Sequence, residues 1–321
     1  MKIIFMGANT QERVYIEDWS ISHQQPVTVV TENLTSENID LTKGFDGLCF
    51  YPSPELATNE MIYHQLKENG IKVLSVKSTG VDGINFEFAR KYDLTVTNVP
   101  AYSPTSVGHF AIMLILMLLR HVPDYLGEST RKSYMGRELS DVTIGILGTG
   151  RIGSLVAKNL IAMGANVIAY GKDEDPVLAK KISYVSFEEL LKLSDVISIH
   201  IPATTENYHM FSQAVFKQMK PNAILINTAR GSIVDTQAMI PFLENGHLGG
   251  FGTDAIEHEE KYFATGWRGN PLVKKMQELS NVIITPHIAY FTELAVRQIV
   301  ETSLENALAI IKDEYSVNVV S

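Results

Sequence analysis

Three side chains able to do polar chemistry stand at the ends of short apolar, β-branched runs. Arg230 follows Ile224-Leu-Ile-Asn-Thr228-Ala229, Asp254 closes Gly249-Gly-Phe-Gly-Thr253, and His287 follows Val282-Ile-Ile-Thr285-Pro286. An arginine's planar fork can grip a carboxylate through two parallel hydrogen bonds. A histidine can deliver a proton to a carbonyl oxygen, and a neighbouring carboxylate would hold the imidazole and raise its pKa. Glu257, Glu259 and Glu260 all follow Asp254 closely, so several carboxylates are available for that place. Taken singly, such residues are more often surface ion pairs or packing groups. Their shared position is the signal, because open α/β sheets bind ligands beyond the carboxyl ends of their strands.

A glycine turn adds to this. The run Val142–Leu147 reads as a buried strand, Gly148-Thr-Gly150-Arg-Ile-Gly153 follows, and helical sequence runs from Ser154 to about Met163. Gly148 allows a tight bend, Gly150 lets backbone approach a pyrophosphate, and Gly153 lets the helix sit close to the sheet. The helix N-terminus then presents N–H groups and a positive dipole end to phosphates. With a second strand, Asn166–Tyr170, after it, the turn reads as a dinucleotide site.

The elements that must position these groups form two βα series. Before residue 100, β-rich runs at Lys2–Met6, Val27–Thr31, Gly47–Tyr51, Lys72–Val76 and Leu94–Val99 alternate with helical stretches such as Asn59–Glu68 and Asn85–Lys91. Pro100 and Pro104 punctuate the chain, and Ser106–Arg120 then reads as a long apolar helix. Alternation restarts at Val142 and continues through Val196–Ile201, Ala223–Thr228, Gly250–Asp254 and Val282–Thr285, enough for a doubly wound sheet. A final amphipathic helix starts at Thr292 and is expected to return to the first sheet. The expected fold is therefore α/β, with two doubly wound parallel-sheet domains. Residues 102–289 would form a Rossmann-type dinucleotide domain, and residues 1–101 with 290–321 a smaller flavodoxin-like substrate domain.

At 321 residues, two domains are the natural expectation. The net charge of −9 argues against nucleic-acid or anionic-membrane partners, though not against a small anionic substrate held by one local cation. Cys49 is the only cysteine, which excludes an intrachain disulfide and a cysteine-based zinc site and fits a reducing cytoplasm. No metal is expected. The first apolar run, Met1–Met6, is too short for a signal-peptide core, and Phe110–Leu119 falls well below the roughly 18 residues of a membrane span. The Ile112–Leu119 stripe reads as core or a dimer contact, so a homodimer is expected.

At this point the sequence resembles the D-isomer-specific 2-hydroxyacid dehydrogenases, most closely the bacterial D-lactate branch that includes those of the vancomycin-resistance pathway. The matching stretches are Val99–Pro104, Gly148–Gly153, Ile224–Gly231, Leu243-Glu-Asn-Gly246 and Ile283–His287, in the same order along nearly the whole chain. The resemblance implies reduction of a 2-keto acid by a nicotinamide cofactor, with pyruvate to D-lactate as the first expectation. It places the catalytic groups at Arg230, Glu259 and His287. Cofactor contacts fall on the turn residues Gly148, Gly150, Arg151, Ile152 and Gly153, and on Ile201, Pro202, Asn207, Thr228, Ala229 and Asp254. The substrate carboxylate loop falls on Thr79 and Gly80. Tyr51 matches the tyrosine that would shorten the substrate pocket, with Tyr102 and Tyr290 lining the same cleft.

Two positions depart from the family pattern. The strand Asn166–Tyr170 should end in an acid that bonds the ribose 2′-hydroxyl, but Gly171 stands there, followed by Lys172 and Asp173-Glu-Asp175. Lys172 could pair with a 2′-phosphate and the three carboxylates would repel one, so NAD is favoured and NADP stays open. The usual arginine before the carboxylate loop is Lys77. The competing readings are a hydroxyisocaproate or phenyllactate dehydrogenase with a wider pocket and, from another class, an NAD(H)-binding corepressor or sensor without turnover. Intact Arg230, Glu259 and His287 speak against the last.

Overall fold

A computed structural model describes residues 1–81, 83–126, 134–262 and 266–320. The chain divides into two compact units, Met1–Ser103 with Phe291–Ser321, and Pro104–Tyr290. Among the described residues, no helix is long and apolar enough to cross a membrane.

The first unit is built on β1 (Ile3–Phe5), β2 (Val27–Val29), β3 (Gly47–Phe50), β4 (Val73–Val76) and β5 (Thr95–Thr97). They pair in the order β2-β1-β3-β4-β5, every pair parallel. This is the flavodoxin-like order. Side chains alternate across the sheet, so Ile4, Leu48, Phe50, Leu74 and Val76 face one layer with Tyr63 and Leu66. Ile3, Phe5, Cys49 and Val73 face the other, against Ile16, Trp19, Val300, Leu304, Ala307 and Ile311. The inner strands β1, β3 and β4 are covered on both faces, which is why they read as nearly unbroken apolar runs.

The helix Glu293–Ile311, capped by Thr292, supplies much of that second layer. A Cβ on Gly47 would lie 2.7 Å from Ile311 Cδ1, so glycine there lets the helix sit close to the sheet. The Ser303 carbonyl accepts from Ser75 Oγ at 2.7 Å. The helix Thr10–Ser22 shares this layer and starts at a capping box between Asn9 and Glu12.

The second unit contains β6 (Thr143–Leu147), β7 (Asn166–Tyr170), β8 (Ser183–Tyr184), β9 (Val196–Ile199), β10 (Ala223–Asn227), β11 (Leu248–Thr253) and β12 (Val282–Ile284). The order is β12-β11-β10-β9-β6-β7-β8, all parallel, with the topological switch beside β6, as in dinucleotide-binding sheets. The two-residue edge strand β8 was not expected, being too short for a period-2 pattern. Helices Pro104–Leu119 and Arg151–Ala162 cover one face through Leu114, Ile115, Leu118, Val156 and Leu160. Leu190, Phe216, Met239, Leu243 and Met276 cover the other. The helix after the glycine turn starts at Arg151 rather than at Ser154, because Gly150 is its N-cap and Gly153 lies inside its first turn.

Leu304 is fully buried between the terminal helix and the first sheet. Leu304→Ala is expected to destabilise that unit by about 2–5 kcal/mol, the range for a buried leucine truncated to leave a cavity. Urea unfolding followed by Trp19 fluorescence in a Trp267→Phe background reads this directly, and an unchanged midpoint would contradict the packing.

Candidate active site

The glycine turn connects β6 to the helix Arg151–Ala162. Gly148 has φ +92°, and its N–H donates to the Tyr170 carbonyl at 2.7 Å. A Cβ on Gly153 would fall 1.9 Å from the Gly148 carbonyl oxygen, so no other residue fits there without moving the turn. A Cβ on Gly150 would meet nothing within 4 Å, and Gly150 stands directly before the helix N-terminus. Open space above backbone at a twelve-residue helix N-terminus is what a pyrophosphate requires, so the turn fits a dinucleotide. Arg151 is on the rim of this cleft with Thr149, Ser154 and Lys158, and Ile152 packs into the core beneath.

Beyond β7, Gly171 is half-buried and Lys172, Asp173 and Glu174 are exposed. Asp175 accepts the N–H groups of Val177 at 2.8 Å and Leu178 at 3.1 Å, and these bonds hold its carboxyl below the usual range. Tyr184 Oη donates to Thr149 Oγ1 at 3.0 Å, and that hydroxyl donates to the Asp173 carbonyl at 3.2 Å, tying the loop to the glycine turn.

The loops after β9 and β10 come next. Ile201 packs on the turn, its Cγ2 being 2.6 Å from where a Gly148 Cβ would stand. Asn207 closes its own loop, accepting from Thr204 N–H at 2.8 Å and donating to the Pro202 carbonyl at 2.7 Å. After β10, the Asn227 amide staples the next turn, accepting from Ala229 N–H at 3.0 Å and donating to the Arg230 carbonyl at 2.9 Å. Thr228 Oγ1 is buried and has no hydrogen-bond partner among the described residues. Arg230 is half-buried, with Nη1 donating to the Ala229 carbonyl at 2.9 Å. Gly231 permits close approach to the loop after β11, since a Cβ would lie 2.2 Å from the Ile256 carbonyl carbon.

Asp254 follows β11 and is buried. Its Oδ1 accepts from Thr285 Oγ1 at 2.6 Å and Ile288 N–H at 2.8 Å, and its Oδ2 from Ala289 N–H at 2.7 Å. Burial pushes this carboxyl above its usual range against the pull of those bonds. The three bonds hold the turn that carries His287, a non-glycine residue at φ +56°. His287 Nδ1 lies 2.7 Å from Glu259 Oε1. Burial works to lower the imidazole pKa, but the Glu259 hydrogen bond and charge, with Asp254 behind, outweigh it and raise the pKa. Arg230 is near enough for its charge to oppose that rise. The Tyr290 ring lies edge-on, 6.4 Å from that of His287. Arg230, Asp254, Glu259, His287 and Tyr290 are thus brought to one end of the second sheet.

Glu257 was only one of three loop acids in the sequence, and it has a definite place. It is buried, with Oε1 at 2.6 Å from His209 Nε2 and Oε2 accepting Thr236 N–H at 2.8 Å. Asn270 Nδ2 donates to its carbonyl at 3.1 Å, so Glu257 anchors the loop two residues before Glu259. Asp235 flanks the other ring nitrogen of His209 at 3.7 Å. Two carboxylates thus border one imidazole, and the three side chains bring one ligand atom each to within 4.8 Å of one another.

In the first unit, Tyr51 directly follows β3, and Ser78-Thr79-Gly80 follow β4 with Lys77 between. Thr79 Oγ1 donates to the Val99 carbonyl at 2.8 Å, and Asn98 Nδ2 to the Thr79 carbonyl at 2.8 Å. Ser78 Oγ closes the turn onto the Gly80 carbonyl at 2.6 Å. Lys77 is fully buried against Glu12, and Tyr102 lies half-buried beyond β5. Cys49 lies in the core, its thiol pushed up to about 12 by burial, and is an inert packing group.

Residues 112–289 match the family described as D-isomer specific 2-hydroxyacid dehydrogenase, NAD binding domain. The chain is 34% identical over 328 residues to the D-lactate/D-glycerate dehydrogenase of Pediococcus acidilactici, covering 99% of this chain and 98% of that one. A solved D-2-hydroxyisocaproate dehydrogenase matches with a TM-score of 0.89 at 34% identity, over 100% of this chain and 99% of its own. The NAD-complexed D-isomer specific 2-hydroxyacid dehydrogenase of Lactobacillus delbrueckii ssp. bulgaricus matches with a TM-score of 0.85 at 34% identity, over 100% of both chains. With two parallel-sheet units and an NAD-binding domain in the second, this chain belongs to the D-isomer-specific 2-hydroxyacid dehydrogenase family.

Proposed function

We propose that this protein reduces a 2-keto acid to the D-2-hydroxy acid with NADH, pyruvate to D-lactate being the reaction it serves. The observation that carries this is the His287–Glu259 pair, an imidazole held by a carboxylate at 2.7 Å with its pKa raised. Because Nδ1 faces Glu259, Nε2 is the nitrogen that delivers a proton to the substrate carbonyl oxygen. Arg230 holds the substrate carboxylate through its planar fork. When bound, NADH supplies the hydride that reaches the carbonyl carbon. The turn Gly148–Gly153 holds the pyrophosphate, and Ile201, Pro202, Asn207, Thr228, Ala229 and Asp254 line the rest of the cofactor's path, with Lys172 exposed at the adenosine end.

The Thr79 and Gly80 amides bind the substrate carboxylate. Tyr51 limits the length of the substrate side chain, and Tyr102 and Tyr290 are further substrate contacts. The protein works as a homodimer in the cytoplasm. Support for the dimer comes from an apolar surface groove of Ile112, Met113, Leu116, Met117, Ala162 and Met163, in which Met113 and Met163 are exposed. A second copy covering that face would remove it from water.

The direct test is NADH oxidation with pyruvate, 2-ketoisocaproate and phenylpyruvate, repeated with NADPH. Pyruvate with NADH should give the highest kcat/KM, and no turnover with any keto acid would overturn the reading. His287→Gln should lower kcat by orders of magnitude while NADH binding, followed by fluorescence, is kept.

Arg230→Lys replaces a bidentate fork by a point charge and should chiefly raise KM for the keto acid, by about tenfold or more. An unchanged KM would remove Arg230 from the carboxylate.

Reduction uses the protonated imidazole, so activity is present below the raised His287 pKa and lost as pH rises through it. Glu259→Gln takes away the dominant raising interaction and should move that falling limb to lower pH. Asp254→Asn should move it the same way by less, because its charge is the weaker contribution. A limb that moves upward, or stays fixed in Glu259→Gln, would contradict the proton-donor role.

A further inference from the structure

Lys77 is buried completely at the end of β4, where a charged side chain is not needed to complete a core. Its Nζ is 3.1 Å from the Gly7 carbonyl and 3.2 Å from each carboxylate oxygen of Glu12. An ammonium has three donors, and three acceptors surround this one. Glu12 is fixed in turn, because its Oε2 also accepts Asn9 N–H at 2.9 Å in the capping box. On the remaining sides are two rings, Phe5 with its centroid 4.2 Å from Nζ and Tyr51 with its centroid 4.6 Å away. Phe5 ends β1, Tyr51 follows β3, and β1, β3 and β4 are neighbours in the sheet. One ammonium therefore joins the carboxyl ends of three adjacent strands.

Such a pair is a weak means of stabilising a fold. Buried ion pairs replaced together by apolar groups of similar volume often leave stability unchanged or improved. What an apolar pair cannot do is attract the negative face of a ring in one orientation. Lys77 lies 4.6 Å from the Tyr51 ring centroid and attracts its face, which favours one orientation of the ring.

We propose that Lys77, held by Glu12, is a positioning residue that fixes the Tyr51 ring and thereby sets which 2-keto acid side chains are accepted. This rests on the reading above that Tyr51 limits the substrate side chain. Without the ammonium, that hold on the ring face is lost and longer side chains enter. An arginine would present a planar fork instead of three divergent donors, and so would hold the ring differently.

The test compares wild type, Lys77→Arg, the double variant Glu12→Gln/Lys77→Met, and Tyr51→Leu. The double variant leaves no lone buried charge, and Lys77→Arg keeps the charge should the double variant fail to fold. The readout is the ratio of kcat/KM for phenylpyruvate to that for pyruvate, together with KM, kcat and the pH profile. Tyr51→Leu and the double variant should each raise the ratio by about tenfold or more, within what pocket contacts can discriminate. Lys77→Arg should raise it by less. The change should lie in KM, with the His287 limb unmoved, which a general loss of structure would not produce. A ratio that moves in Tyr51→Leu but in neither Lys77 variant overturns the role of Lys77 and leaves that of Tyr51. A ratio that moves in none of them overturns both.

Discussion

The Asp254 carboxylate gathers three donors from a segment about thirty residues further along the chain, the Thr285 hydroxyl and the Ile288 and Ala289 N–H groups. That grip joins the end of β11 to the turn after β12. A buried carboxylate without donors would neutralise or be expelled, and a turn forced to φ +56° at a histidine would relax if its neighbours were free. Each makes the other tenable. The imidazole then meets Glu259 with the correct nitrogen, so the geometry of the proton donor depends on a residue that does not touch its ring. Asp254 also adds to the negative field that raises the histidine's pKa. One carboxylate thus holds the backbone where the acid stands and adds to the larger effect of Glu259 on its proton.

The first unit has a comparable device of opposite sign. There an ammonium, not a carboxylate, is buried at the strand ends, with carbonyl and carboxylate acceptors around it. Burial drives the Lys77 pKa down while Glu12 resists, so the pair is stable only if both partners stay in place. In both units the charge sits where strands of a parallel sheet end and loops begin. The backbone of Lys77 and Asp254 still pairs with the neighbouring strand, through the Phe50 and Asn227 carbonyls, but the loop groups next to them need other partners. A buried charged side chain at that boundary supplies those partners and fixes the loop.

Much of this was legible in the sequence because it is local. The βα alternation, the glycine turn and the positions of Arg230, Asp254 and His287 after apolar runs are short-range patterns with direct physical readings. What escaped depends on contacts distant in sequence. Lys77 and Glu12 are 65 residues apart, and nothing local marks them as partners. Glu257 could not be separated from Glu259 and Glu260 by spacing alone, since its role is defined by His209 and Thr236 from other loops. The start of the helix at Arg151 was hidden for another reason. A glycine within a helix usually argues against it, but Gly153 is there because the Gly148 carbonyl leaves no room for a Cβ.

Several of the positive-φ residues divide between ordinary helix ends and working loops. Gln24, Asp93, His121 and Asp313 take positive φ just past the ends of helices, where a left-handed residue commonly stops a helix. His209, His258 and His287 take it in loops that follow strands β9, β11 and β12, where no helix end calls for it. Each such residue costs of order 1–3 kcal/mol and persists only where its surroundings over-determine it. At His209 and His287 those surroundings are identifiable. Glu257 bonds the first ring, Glu259 bonds the second, and Asp254 holds the backbone beside the second. Removing a carboxylate here would release strain as well as a hydrogen bond. The loops would then relax away from the geometry in which Arg230, Glu259 and His287 share one end of the sheet, so the strain and the carboxylates belong to one device.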